Sequence, residues 1–268
     1  MIQTKERKLK KYKMIFDKKR VKRIWLLFGY VILSCIFIYF LKPTYLLSIF
    51  IVLVPPSMAN FLWLKNSRKK IFIFSLTATV LFAFAVELSS RLADSWDVQS
   101  VLPRILGIIP IENMIFAFLN FFWVLSFYEY FINKDSHRKI SKKFKYLVML
   151  FSIFSLIVFS LYFCDEKLIA INYFTMAVIT LIIPSIIIFS LNPQLLKKTI
   201  IPMIFFAFTF FIYEIVSLIN KNWWWPGKYL FSLNLLGNVF PLDDIVIWYF
   251  LSTIALIGGY EFFADDFK

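Results

Sequence analysis

Four acidic positions stand where acids are expensive. Glu87 and Glu214 lie inside long apolar runs, A-F-A-V-E-L-S-S and F-F-I-Y-E-I-V-S-L. Glu112 and Asp243, with Asp244 beside it, open two further runs just after a proline, in G-I-I-P-I-E-N and G-N-V-F-P-L-D-D. An ionisable residue inside a membrane span is a candidate for function by default. A carboxylic acid kept neutral in a dry cavity can donate a proton, and a neighbouring carboxylate can take one back. The chemistry open to such a set is acid–base work on a lipid-soluble molecule. Glu112 and Asp243 also have a competing role. With Pro110 and Pro241 at the first helical position, each acid falls in the first turn. Free backbone N–H groups and the positive end of the helix dipole stabilise a carboxylate there.

The other reactive side chains narrow the field. Cys35 and Cys164 are isolated thiols expected to be inert packing residues, and the only histidine, His137, lies in a basic loop. No Cys/His spacing has the form of a metal site. One D-x-x-D, Asp94 to Asp97, would suit a magnesium-diphosphate prenyltransferase, but the chain has no second copy where one is needed. No G-x-G-x-x-G is present, so no dinucleotide cofactor is expected. Asn222 to Pro226 reads N-W-W-W-P. Trp223, Trp224 and Trp225 fit an interfacial belt, and they also suit a lid whose π-faces meet a cation.

These residues need elements to position them. The chain has 268 residues, 60% of them hydrophobic, and a mean hydropathy of +0.75. Its apolar blocks alternate with charges, the pattern of a polytopic helical membrane protein. Eight spans are expected, near 24–41, 45–64, 71–90, 110–132, 146–163, 168–191, 199–219 and 241–263. With the N-terminus inside, twenty-four of the thirty Lys/Arg fall in inside segments, so the rule of positive inner loops predicts both termini inside. The net charge of +14 is therefore read as a topology signal and a contact with anionic lipid, and nucleic-acid binding is set aside. In this frame Glu87, Glu112, Glu214 and Asp243 share the outer third of the membrane. Glu129 and Glu261 belong to the inner ends, where they are expected as interfacial anchors.

The chain also repeats itself at an offset of about 127–132 residues. V-P-P-S from Val54 answers I-I-P-S from Ile182, and Lys69-Lys70 answers Lys197-Lys198. Glu87 answers Glu214, with Trp96 and Trp223 nine residues beyond. G-I-I-P-I-E-N answers G-N-V-F-P-L-D-D, and F-Y-E-Y-F answers G-Y-E-F-F. The expected organisation is a basic tail (1–23), a four-helix repeat (24–133), a basic linker (134–145) and a second four-helix repeat (146–268). Each half has an even number of spans, so the two halves run parallel. A shared cavity is then expected around an axis along the membrane normal. The fold class is thus all-α integral membrane, two parallel four-helix repeats.

The doubled order of these motifs resembles the lycopene cyclase domain. That domain occurs as paired small subunits in bacterial cyclases and as a fused tandem in archaeal and fungal ones. The family's P-x-E-E stands here as Pro110-Ile111-Glu112-Asn113 and Pro241-Leu242-Asp243-Asp244. The likeness covers the chain from about Tyr45 onward. It implies a redox-neutral carotenoid cyclase without flavin or metal, in a prokaryotic cytoplasmic membrane. An acid protonates the terminal double bond of a linear carotenoid, the cation closes onto the neighbouring double bond, and a carboxylate removes a proton. It also implies catalytic roles for Glu87, Glu112, Glu214, Asp243 and Asp244, and a substrate contact for Trp96, Asn113, Trp223, Trp224 and Trp225. The donor is expected to be Glu112 with Glu214 or Glu87. The expected partners are a lipid-soluble linear carotenoid and membrane lipids, with other carotenoid-pathway enzymes left open. Hydratase and other terpene-cyclase outcomes diverge only after the same cation. A prenyltransferase of the UbiA kind, a scaffold and a transporter are the remaining alternatives.

Overall fold

The computed structural model describes residues 17–136 and 139–265. His137 and residues 1–16 of the basic tail lie outside the described residues. The chain is mostly helical. Among the described residues eight helices are long and apolar enough to cross a membrane: α1 Lys18–Leu41, α2 Tyr45–Trp63, α3 Arg68–Leu92, α4 Ile111–Ile132, α5 Phe144–Cys164, α6 Tyr173–Leu191, α7 Pro193–Ile219 and α8 Leu242–Phe263. In lipid a backbone must satisfy its own hydrogen bonds, which selects helices for such runs.

The boundaries follow local chemistry. Asp17 caps α1 by accepting from Arg20 N at 2.7 Å, and Asn172 caps α6 by accepting from Thr175 N at 2.9 Å. Residues 168–172 were expected inside the sixth span. The Asn172 cap starts the helix later, and Glu166–Ile169 form a 3₁₀ turn instead. Pro193 at the first helical positions lets α7 begin six residues before the expected start. Pro55 and Pro56 sit within α2. A proline at position 55 leaves the Ile51 carbonyl without its helical donor, and the Tyr30 hydroxyl of α1 donates to that carbonyl at 2.7 Å.

The helices pack in a crossed pattern. α1 lies on α7, and α5 lies on α3. α2 packs on α4, α6 on α8, and α3 and α7 on α4 and α8 respectively. The outward faces of α1 and α5 carry Leu26, Leu33, Phe40, Met149, Leu156 and Ile157, all exposed, as lipid-facing residues should be. The centre is an aromatic stack between α4 and α7. Trp123 meets Phe206 edge-on at 5.0 Å, and Phe127 stacks on Phe205 at 4.5 Å.

Three short antiparallel ribbons were not anticipated by the helical reading. β1 (Asp97–Val98) pairs with β4 (Trp223–Trp224), tying the α3–α4 and α7–α8 connections together. β2 (Arg104–Ile105) pairs with β3 (Ile109–Pro110), and β5 (Ser232–Leu235) with β6 (Asn238–Pro241). Both hairpins turn on a Leu-Gly pair at positive φ, Leu106-Gly107 and Leu236-Gly237. Glycine takes that conformation without a Cβ penalty, which accounts for the glycine that begins each G…P motif.

Candidate functional site

The covered end of the bundle holds a cavity of about 220 Å³ between helices of both halves. Its wall is mainly apolar and aromatic, and Glu87, Asn113, Glu214 and Asp244 reach it. Of the expected tryptophans, Trp96, Trp223 and Trp225 line it.

Glu87 stands one turn before the end of α3, so Arg91 four residues on shares its face. Arg91 Nε lies 2.7 Å from Glu87 Oε1, with both side chains buried. Asn113 Nδ2 donates to the same oxygen at 2.6 Å. Arg91 continues to Asp97 at 2.5 Å, and Arg104 meets Asp97 at 2.9 Å. Glu87 is therefore an ion-paired carboxylate at one end of a four-residue ladder. The expectation of an acid without a cation beside it is thus replaced by an ion pair. The spacing of four residues between Glu87 and Arg91 is the signal for this pair in the sequence. Asp97 of the D-x-x-D is likewise occupied by two arginines.

Glu214 occupies the matching place on α7, and residue 218, which answers Arg91, is a leucine. The indole N–H groups of Trp223 and Trp225 both donate to Glu214 Oε1 at 2.8 Å. Asp244 accepts from the Tyr173 hydroxyl. Glu214 and Asp244 lie close enough to interact electrostatically, and the buried Tyr249 hydroxyl lies within reach of both without a direct hydrogen bond to either. Among the described residues no lysine or arginine forms an ion pair with Glu214 or Asp244. Around the pair, Trp96 meets Tyr173, Trp225 and Trp248 edge-on at 5.9, 6.2 and 6.0 Å. Edge-to-face rings at this spacing pack favourably and leave ring faces for a ligand. Tyr173, Tyr249 and Trp248 were not anticipated. Tyr173 is the first helical residue after its cap, as Tyr45 is in the other half, so the repeat held a clue.

Glu112 and Asp243 are elsewhere. Glu112 is fully buried. Its Oε1 accepts from the backbone N–H groups of Val101 and Leu102 at 2.7 Å each, and its Oε2 accepts from Ser100 at 2.8 Å. It clamps the α3–α4 connection and does not line the cavity. Asp243 repeats this more weakly, accepting from Leu230 N at 3.4 Å. Both were expected among the catalytic acids, and the geometry places neither in the cavity wall. An acid in the first turn of a helix is held by nearby backbone donors, and here those donors belong to the preceding loop. The next residue, Asn113 or Asp244, faces the cavity. Trp224, expected as a substrate contact, is 42% exposed and outside the cavity lining.

At the opposite end, Glu129 and Glu261 are buried, not interfacial. The Tyr128 hydroxyl donates to Glu261 at 2.5 Å, and the Tyr260 hydroxyl donates to Glu129 at 2.6 Å. Lys70 pairs with Glu129 at 3.0 Å, and Lys198 with Glu261 at 3.2 Å. Asn133 and Lys70 both bond Asp265, at 2.7 Å each.

No known protein family matches this chain. No curated protein and no solved structure is significantly similar to it either. The site geometry therefore carries the functional argument alone.

Proposed function

We propose that this chain is an integral membrane carotenoid end-group cyclase, acting by proton transfer in the cavity between its halves. The observation that carries the proposal is the Glu214–Asp244 pair. Two acids interact in a buried aromatic cavity, and among the described residues no Lys or Arg forms an ion pair with either. On this reading the two acids share one proton, as interacting carboxyl groups can. Either acid can then donate it, and the other remains a base.

The steps balance without an oxidant. The pair gives a proton to the terminal double bond of a linear isoprenoid, leaving a tertiary cation. The neighbouring double bond attacks that cation and closes the ring. A carboxylate then removes a proton from the ring, so the net change is an isomerisation. The ring faces of Trp96, Trp225 and Trp248 stabilise a cation lying among them. The paired indole donors hold Glu214 in place. Glu87, paired with Arg91, is held by that contact and takes no part in the proton transfer.

The same reading places two parallel four-helix repeats with both termini inside a prokaryotic cytoplasmic membrane. Three pairs of equivalent contacts support it. Tyr128–Glu261 mirrors Tyr260–Glu129, Lys70–Glu129 mirrors Lys198–Glu261, and α1 on α7 mirrors α5 on α3. A two-fold relation exchanges contacts in this way. The distribution of Lys/Arg supports the orientation.

The test is expression in two hosts, one accumulating lycopene and one a hydroxylated linear carotenoid, followed by chromatography of the pigments. Ring-closed product in either host is the expected result. Product carrying added water points to hydration of the same cation. Unchanged pigment in both hosts, with folded protein in the membrane, sinks the proposal.

A further inference from the structure

The cavity wall is apolar over most of its area, yet it holds polar atoms with nothing to bond. Asn113 Oδ1, Tyr249 Oη and Trp248 Nε1 are buried and unpartnered, and all three residues line the cavity. Asn113 is 8% exposed and Tyr249 7%, so neither is relieved by bulk solvent. Buried polar groups in folded proteins nearly always have a partner, and leaving one unpaired is costly.

The Asn113 amide cannot turn to escape. Its Nδ2 donates to Glu87 Oε1 at 2.6 Å, and the flipped amide would set a carbonyl oxygen against a carboxylate held by Arg91. Its own oxygen is therefore left as a free acceptor. Trp248 offers only a donor, and Tyr249 offers a donor and an acceptor. A hydrocarbon leaves the Asn113 oxygen and the Trp248 indole unsatisfied, and offers Tyr249 nothing beyond the two acids within its reach. A hydroxyl group serves them, because it donates to a carbonyl oxygen and accepts from an indole or phenol. This also gives Asn113 a purpose where the second half carries Asp244. A carboxylate beside Glu87 would add a second negative charge, whereas the amide bonds Glu87 and keeps an acceptor for a ligand.

We infer that the occupant of the cavity is a linear isoprenoid bearing a hydroxyl group, selected over the hydrocarbon of the same skeleton by Asn113, Trp248 and Tyr249. The inference rests on the reading of the cavity as an isoprenoid site and names its substrate class more closely. Trapped water would serve the same three atoms but would give no preference between the two ligands.

The experiment is a binding comparison on the full chain in nanodiscs. Geranylgeraniol and the hydrocarbon lacking only its hydroxyl are titrated by mole fraction. Binding is read from the emission of the tryptophans, three of which, Trp96, Trp225 and Trp248, line the cavity together with Trp223. Tyr249→Phe and Asn113→Leu, made singly, normalise for partitioning into lipid. A site built to bond a hydroxyl rejects the analogue without it, so the wild type should saturate with the alcohol at about tenfold lower mole fraction, and each variant should lose most of that preference. Trp248→Phe is the further variant should Asn113→Leu fail to fold. Equal saturable binding of both ligands, as water in the cavity would give, overturns the inference and leaves the isoprenoid cavity standing. A preference for the alcohol that survives in Tyr249→Phe and Trp248→Phe also overturns it. Absence of saturable binding by either ligand overturns the isoprenoid reading itself.

Discussion

The Arg91 guanidinium meets the Glu87 carboxylate at 2.7 Å, one helical turn further along α3, with both groups buried. Leu218 stands at the matching place on α7, and Glu214 has indole donors and a neighbouring acid in place of a cation. The two halves therefore carry one acid each at the same position but in opposite electrostatic settings. One is committed to an ion pair, and the other, among the described residues, is not.

The first prediction follows for activity. Glu214→Gln and Asp244→Asn should each lower ring-closed product by roughly 100-fold or more, the scale of a lost general acid or base. Glu87→Gln should cost less than about tenfold, since Glu87 is not the donor. Pigment yield per folded protein in the membrane is the measurement. Equal losses for Glu87 and Glu214 would return the first half to the chemistry.

The second prediction concerns the ion pair. Arg91→Leu copies the second half but strands a buried carboxylate, and removing one partner of a buried pair costs about 3–5 kcal/mol. Arg91→Leu with Glu87→Gln removes both charges and should recover most of that loss. Thermal unfolding in detergent of the two single variants and the double variant gives the coupling. A double variant as unstable as Arg91→Leu would mean that Arg91 acts chiefly through Asp97.

Glu112 supplies a prediction about the connection it clamps. Its carboxylate accepts two backbone N–H bonds and one hydroxyl bond. Hydrogen bonds to a charged group contribute about 1.5–3 kcal/mol each at most. Glu112→Ala should lower the unfolding temperature and speed proteolysis near Val101. Activity per folded molecule should stay within a few-fold of wild type. Loss of turnover with unchanged stability would restore Glu112 to the catalytic set.

The sequence made the helices legible because membrane spans announce themselves by length and apolarity, and the three starts that moved by five residues or more, those of α1, α6 and α7, did so at the Asp17 cap, the Asn172 cap and Pro193. It also marked the right regions for the site, since acids in apolar runs are rare. It did not reveal which acid faces inward. Glu112 and Asn113 are adjacent, and on a helix adjacent residues point about 100° apart, so only the packing of α4 decides between them. The Arg91 ladder was hidden for a different reason. A cation counted at a loop boundary can turn back into the helix, and burial is not visible in a charge tally. Glu129 and Glu261 were misread because a glutamate beside a tyrosine at a span end looks interfacial until its partner from the other half is known.

Asp135 gives a pH prediction outside the membrane spans. It accepts from the backbone N–H groups of Lys65, Asn66 and Ser67 at 2.6, 2.9 and 2.8 Å, holding the α2–α3 turn. Partial burial opposes its ionisation, but these donors, Asn66 foremost, outweigh it and hold the carboxyl below its ordinary value of 3.8. A depressed value means that the stability is present above 3.8 and is lost as pH falls through the folded value. Hydrogen exchange at residues 65–67 should therefore accelerate only below about pH 4, beyond the intrinsic pH trend. In Asp135→Asn it should be fast at neutral pH too. Unchanged protection in that variant would remove Asp135 as the clamp.

The reciprocal Tyr–Glu bonds carry the last prediction. Tyr128 binds Glu261 and Tyr260 binds Glu129, so each bond crosses from one half to the other. Lys70 adds an ion pair to Glu129 on one side, and Lys198 adds one to Glu261 on the other. A tyrosine hydroxyl bonded to a buried carboxylate is worth about 1.5–3 kcal/mol, and its removal leaves an acceptor partly unsatisfied. Tyr128→Phe and Tyr260→Phe should each destabilise the protein by about that amount. Their effects should add closely if the bonds act independently, and should fall short of the sum if they act as one lock. With a protease site placed in the 134–145 linker, the cleaved wild-type halves should stay together in detergent. The halves of the double variant should separate at lower detergent concentration or temperature. Halves that separate equally readily in wild type and double variant would show that the aromatic stack of α4 and α7, not this polar lock, holds the molecule together.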